Sequence, residues 1–210
     1  MNKQIFAALG LAAAALAPAH AALITDSATL ANPYTALVGF DNFDSLLSSG
    51  PVTVAPGVIF TGDSGSELGA NNRVLGENGM WGAKGFFVAA AGFGELRFTF
   101  AELTSGAGAF VNHYAIENFP LNMSVSVYGD NNLIIETHNF SVSTGFDSYN
   151  EGQFLGITRN SADIRSISFK GLGVVVDDMQ FTTAVPEPQS YALMALGLGL
   201  LAAVAKRRRA

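Results

Sequence analysis

The sequence predicts an all-β body built as a two-sheet sandwich, and three observations predict it. Short apolar stretches alternate with period two; Gly, Asn, Asp and Ser separate them; no stretch between the two ends sustains a helical period. Met123, Val125 and Val127 face one way while Ser124, Ser126 and Tyr128 face the other, and Leu96, Phe98 and Phe100 alternate with Arg97 and Thr99. Further strands are expected at Leu37 to Phe43, Val58 to Thr61, Phe86 to Ala89, Ala109 to Ile116, Leu133 to Phe140, Phe154 to Thr158, Ile164 to Lys170 and Val174 to Thr182. The turn Gly129-Asp130-Asn131-Asn132 reads as a hairpin. About ten strands without helices must close into a barrel or stack as two sheets, and the sandwich is the favoured arrangement. Glycines recurring from Gly62 to Gly94 predict long loops there.

The two ends of the chain are written differently. At the start, Lys3 precedes the uncharged apolar run Ile5 to Leu16, then Pro18 and Ala19-His20-Ala21 place small residues where a signal peptidase cuts. Residues 1–21 are expected to be a signal peptide cleaved after Ala21, the run being shorter than the ~20 residues a bilayer span needs. At the other end, Val185-Pro186-Glu187-Pro188 is followed by an uncharged segment, Ser190 to Ala205, and by Lys206-Arg207-Arg208-Arg209. As a helix that segment rises about 24 Å, a short transmembrane span. The four cations resist translocation, so they are expected to stop transfer and stay cytoplasmic, leaving residues 22–184 outside.

These three parts, in this order, resemble the PEP-CTERM sorting domain that exosortase-type enzymes recognise in Gram-negative bacteria. The resemblance covers residues 185–210 and implies an exosortase-type membrane enzyme and the inner membrane as partners, with Val185 to Pro188 as the sorting motif. It implies an exported chain, anchored through the C-terminal helix and then held at the cell surface or released after processing. Bodies attached to such tails are diverse and often belong to exopolysaccharide- or biofilm-forming organisms, so the tail implies a location rather than an activity. In the body, Gly39-Phe40-Asp41, Gly57-Val58-Ile59-Phe60 and Val176 to Phe181 resemble the first and last strands of jelly-roll modules.

The body, residues 22–184, is long enough for one domain with a substantial core. Five of the chain's 11 Lys and Arg residues lie outside it but only one of its 17 Asp and Glu, Glu187, leaving six cations against sixteen carboxylates and a net charge of −10. No cluster of Lys or Arg precedes residue 206, which argues against nucleic acid as a partner. The chain has no cysteine, which excludes disulfides and thiolate zinc sites. After the signal only His113 and His138 remain, so any metal is expected to be calcium held by oxygen ligands.

Four features compete for a function. Gly62-Asp63-Ser64-Gly65 resembles the segment around the nucleophile of trypsin-like serine proteases, yet the one histidine upstream is His20 in the signal, and the segment also reads as a glycine-rich turn. In strict strand register Asp177 shares a face with Val175, Met179 and Phe181, a costly place for an unpaired carboxylate. Asp178 points the other way; if the first and last strands are neighbours, Asp41 or Asp44 would join either Asp177 or Asp178 around a structural calcium, as the jelly-roll resemblance implies, and alternatively Asp177 accepts hydrogen bonds from backbone N–H groups of a loop. Trp81, in Gly79-Met80-Trp81-Gly82, either stacks on a sugar ring or plugs the end of the sandwich; Tyr114, Tyr128, Tyr149, Asn71, Asn72 and Arg73 could join it. Carboxylate pairs such as Glu95 with Glu102 read as solubilising surface. The leading expectation is a non-enzymatic envelope or extracellular-matrix protein. The alternatives are a carbohydrate-binding module for exopolysaccharide and a small secreted hydrolase, which lacks a convincing nucleophile, base or metal cluster.

Overall fold

The computed structural model describes residues 21–31, 35–70, 86–90, 92–113, 121–145, 151–183 and 197–198. Among them the strands are β1 (Ala21–Ile24), β2 (Thr35–Val38), β3 (Leu46–Leu47), β4 (Val52–Ala55), β5 (Val58–Gly62), β6 (Glu67–Ala70), β7 (Phe87–Ala89), β8 (Phe93–Thr104), β9 (Gly106–His113), β10 (Leu121–Tyr128), β11 (Ile134–Val142), β12 (Gln153–Arg159), β13 (Ile164–Leu172) and β14 (Val174–Thr182). They form two antiparallel sheets. The six-stranded sheet runs β11-β10-β13-β8-β5-β4; the eight-stranded sheet runs β1-β12-β9-β14-β7-β6-β3, with β2 also paired to β14.

The alternation seen in the sequence is what closes the sandwich. On β8, Leu96, Phe98 and Phe100 are buried while Glu95, Arg97 and Thr99 lie on the outer face. The inner rings of Phe40 and Phe60 pack on Phe98 at centroid distances of 5.9 and 5.7 Å. Burying each such ring contributes about 1.5–3 kcal/mol. Val38, Ala107, Ala109, Val111, Val174 and Val176 complete this core from the eight-stranded sheet. A second apolar cluster of Ile24, Leu30 and Phe154, with Phe110 against it, covers part of that sheet's other face. It is placed there by the 3-10 turn Ser27–Thr29, which Asp26 caps by accepting from the Ala28 N–H at 2.9 Å.

The expected hairpin is present: Asn132 N–H donates to Gly129 O at 3.0 Å and Gly129 N–H to Leu133 O at 2.9 Å, between β10 and β11. The stretch expected as one strand from Leu37 to Phe43 pairs only as far as Val38; Gly39 to Phe43 leaves the sheet, with Phe40 still fully buried. Strands β1, β3, β4 and β6 add to those expected, and β6 lies inside the glycine-rich stretch read as loops.

Among the described residues no helix is long and apolar enough to cross a membrane. Gly197 and Leu198, inside the expected span Ser190 to Ala205, are helical. The rest of that span, the signal residues 1–20, the sorting motif Val185 to Pro188 and the cations Lys206 to Arg209 lie outside the described residues.

Candidate functional site

Strand β14 carries the carboxylates singled out in the sequence. Its first half pairs with β7 (Val175↔Ala89, Val176↔Val88) and its second half with β2 (Met179↔Val38 to Thr182↔Thr35). Between the halves the register against β9 slips by one residue between Asp177 and Gln180, and Asp178 takes a left-handed φ of 45°. The slip corrects the expected face. Asp177 stays with Val175 on the side away from the main core, while Met179 and Phe181 turn inward.

Asp177 is 4% exposed and its Oδ1 accepts from the Asp178 N–H at 2.7 Å. Asp41 follows the end of β2 and its Oδ1 accepts from the Phe86 N–H, just before β7, at 3.0 Å, so it bridges the gap where β14 changes partner. Burial, and then the negative charge of Asp41, push the Asp178 carboxyl above its ordinary value. Asp44 is exposed in the following turn. Among the described residues no group of three or more His, Cys, Asp or Glu is placed to hold a metal. Asp41 and Asp177 each accept a hydrogen bond from a backbone N–H.

Gly62 to Gly65 forms the turn between β5 and β6, with Ser66 Oγ donating to Asp63 Oδ1 at 3.0 Å and Ser64 exposed. His113 is buried on β9, three strands from β6, about 14 Å at ordinary spacing. Its Nε2 accepts from the Thr144 N–H at 3.3 Å and burial lowers its pKa, so it is neutral at pH 7. Trp81, together with Tyr114, Tyr149, Asn71, Asn72 and Arg73, lies outside the described residues.

A site not singled out in the sequence lies on the outer face of the six-stranded sheet. Register aligns Thr61, Arg97, Ser168, Ser126 and Thr137 in one row across β5, β8, β13, β10 and β11. The next row holds Glu95, Lys170, Ser124 and Asn139. Arg97 is fixed from three sides. Its guanidinium carbon lies 3.6 Å from the Tyr128 ring centroid, Nη1 donates to Asn132 Oδ1 at 2.7 Å, and Nε faces Glu95 Oε1 at 3.4 Å. The Tyr128 hydroxyl is 3.3 Å from Ser168 Oγ and donates to Glu95 at 3.4 Å. Beside them Thr61, Gly62, Asp63, Glu95 and Arg97 line a shallow depression of about 320 Å³. Phe93, on the same face of β8, is 67% exposed, with Lys170 Nζ 5.7 Å from its ring centroid. The signal was present in the sequence as the polar phase of each strand, but only the pairing register brings those phases into rows.

With this geometry in hand, comparison with known proteins assigns the tail. Residues 184–209 match the PEP-CTERM protein-sorting motif, beginning two residues after the end of β14. The motif implies an exported chain, anchored at its C-terminus in a membrane and processed by an exosortase, itself a membrane enzyme. No curated protein matches the chain. Among solved structures the chain is similar to a DUF4465 family protein from Bacteroides caccae (7% identity, TM-score 0.49, covering 71% of this chain and 99% of that one). An arabinose-bound MgGH51 a-L-arabinofuranosidase gives 11% identity and a TM-score of 0.41 over 71% of this chain and 26% of that one. CsCBM6-3 from Clostridium stercorarium, solved with cellobiose, gives 15% identity and a TM-score of 0.31 over 51% and 81%.

Proposed function

We propose that this chain is a non-enzymatic envelope or extracellular-matrix protein whose β-sandwich is displayed outside the cell after an exosortase-type enzyme acts on its tail. The observation that carries the reading is the position of the matched motif, which starts at residue 184 where the last strand has just ended at Thr182. Pro186 and Pro188 fix φ and offer no N–H, which disfavours both a helix interior and strand pairing and suits a segment read as a linear signal. Replacing Pro186, Glu187 and Pro188 by alanine is expected to leave export intact and block maturation in a host with the matching exosortase. Mass spectrometry of the C-terminus decides it: wild-type protein from such a host that still ends in Lys206 to Ala210 defeats the reading.

A second reading, a carbohydrate-binding body for exopolysaccharide, is favoured by the outer face of the six-stranded sheet. Ser126 and Ser168 are buried, but Thr61, Ser124, Thr137 and Asn139 reach its surface beside a fixed guanidinium and carboxylate, groups suited to the hydroxyls of a sugar chain. A calcium ion, the metal the sequence favours if one is bound, would find the carboxylates of Asp41 and Asp178 near one another among the described residues.

A further inference from the structure

We infer that the outer face of the six-stranded sheet binds a neutral polysaccharide strand laid along β8, with Phe93 as its stacking platform and Arg97 and Glu95 as its hydrogen-bonding clamp; this rests on the carbohydrate reading above. Phe93, Glu95 and Arg97 are successive outward residues of one strand and span about 13 Å, the reach of a short oligosaccharide. The depression beside Glu95 and Arg97 is open rather than enclosed, which suits a chain passing through more than a small molecule held within.

Charge selects the class of ligand. The body carries a net charge of −10, yet on this face Arg97 and Lys170 stand against Glu95 and Asp63, so the face is balanced within an acidic molecule. A polyanion would meet the Glu95 and Asp63 carboxylates, and a polycation would meet Arg97 and Lys170. Neutral sugar hydroxyls meet neither cost, and both donate to carboxylates and accept from guanidinium N–H groups. A protein partner would need a desolvated apolar centre, whereas the two central rows are hydroxyls, an amide and charged groups.

The clamp is also built in advance. Tyr128, Glu95 and Asn132 hold Arg97, so little side-chain freedom is lost when a ligand arrives. Phe93 is the aromatic platform: a ring 67% exposed, with Lys170 Nζ 5.7 Å from its centroid, whose exposed apolar surface would lie against the apolar face of a pyranose.

The test is affinity electrophoresis of the full-length exported protein through gels containing hydroxyethylcellulose, the neutral exopolysaccharide fraction of the producing strain, or alginate as a polyanion. At least one neutral polymer is expected to retard the wild type while alginate does not; which one retards it distinguishes a foreign polymer from the cell's own matrix. Phe93→Ala and Arg97→Ala are each expected to weaken retardation about tenfold, the order expected when one aromatic platform or one charge-assisted clamp is lost. Leu47→Ser, an equally exposed apolar position on β3 of the other sheet, is expected to leave it unchanged. Unaltered melting curves confirm that the variants are folded. Neutral-polymer binding that survives both substitutions overturns this site and leaves the carbohydrate reading standing. Retardation by alginate alone, or by none of the three, overturns both.

Discussion

Asp178 shows how much a single carboxylate can reveal. It sits at φ 45°, a backbone that Asp and Asn tolerate better than most residues, and burial plus the Asp41 charge raise its pKa. The folded state therefore keeps this proton to higher pH than the unfolded chain does, so stability falls as pH rises from the ordinary carboxylate value to the raised one. Above the raised value the cost is complete. Asp178→Asn keeps the shape and removes the charge; in chelator at pH 7 it is expected to raise the melting temperature by on the order of 1–3 °C, a gain that disappears at acid pH below the ordinary carboxylate range. A lower melting temperature at pH 7 contradicts this. The same samples test calcium: an ion at Asp41 and Asp178 would raise the wild-type melting temperature and leave the variant unmoved. The sequence marked Asp177 as unusual through its apolar neighbours, and the structure pairs the last strand with the early β2. Sequence reasoning misassigned the faces because a bulge adds one residue, and nothing in Val176-Asp177-Asp178-Met179 announces it.

Strands long enough to express a period were legible, and most of the shortest were not, although the three-residue β7 was expected at Phe86 to Ala89. β8, β10 and β13 run eight to twelve residues and show their alternation, whereas β1, β3, β4 and β6 have two to four, too few to distinguish from a loop. Strand β9 begins at Gly106, three residues before the expected start, because Gly and Ala carry no apolar signal. Those small residues have a packing reason. A Cβ on Gly156 of β12 would lie 2.6 Å from Ala107 O and 2.9 Å from Gly108 Cα, so the two backbones approach more closely than side chains allow. Gly156→Ala is expected to destabilise the body by about 1–3 kcal/mol, read as a lower denaturation midpoint at unchanged slope. Strand β1 bears on export: Ala22, Leu23 and Ile24 pair with Thr158, Ile157 and Gly156, and Ile24 is buried. N-terminal sequencing of the exported protein is expected to find Ala22 first, a cut that keeps all three pairs; a start beyond Ile24 contradicts it.

At the scale of the whole molecule, the address was legible and the working surface was not. A sorting tail is a linear signal, read from Val185 to Arg209 without any fold. The face carrying Arg97, Tyr128 and Phe93 draws on strands spread from Thr61 to Lys170, and only strand order and register bring them together. One feature of the fold also sets how the molecule bears force. The tail leaves from β14, an interior strand paired with β9 on one side and with β7 and β2 on the other, while the opposite terminus enters through β1 at the sheet's edge. Tension arriving through Thr183 pulls along β14, so the ladder bonds on both sides are loaded in shear and share the load instead of opening one at a time. A body tethered by this end is held where it resists tearing, and flow or a moving matrix would peel β1 from β12 before it drew β14 out of the sheet.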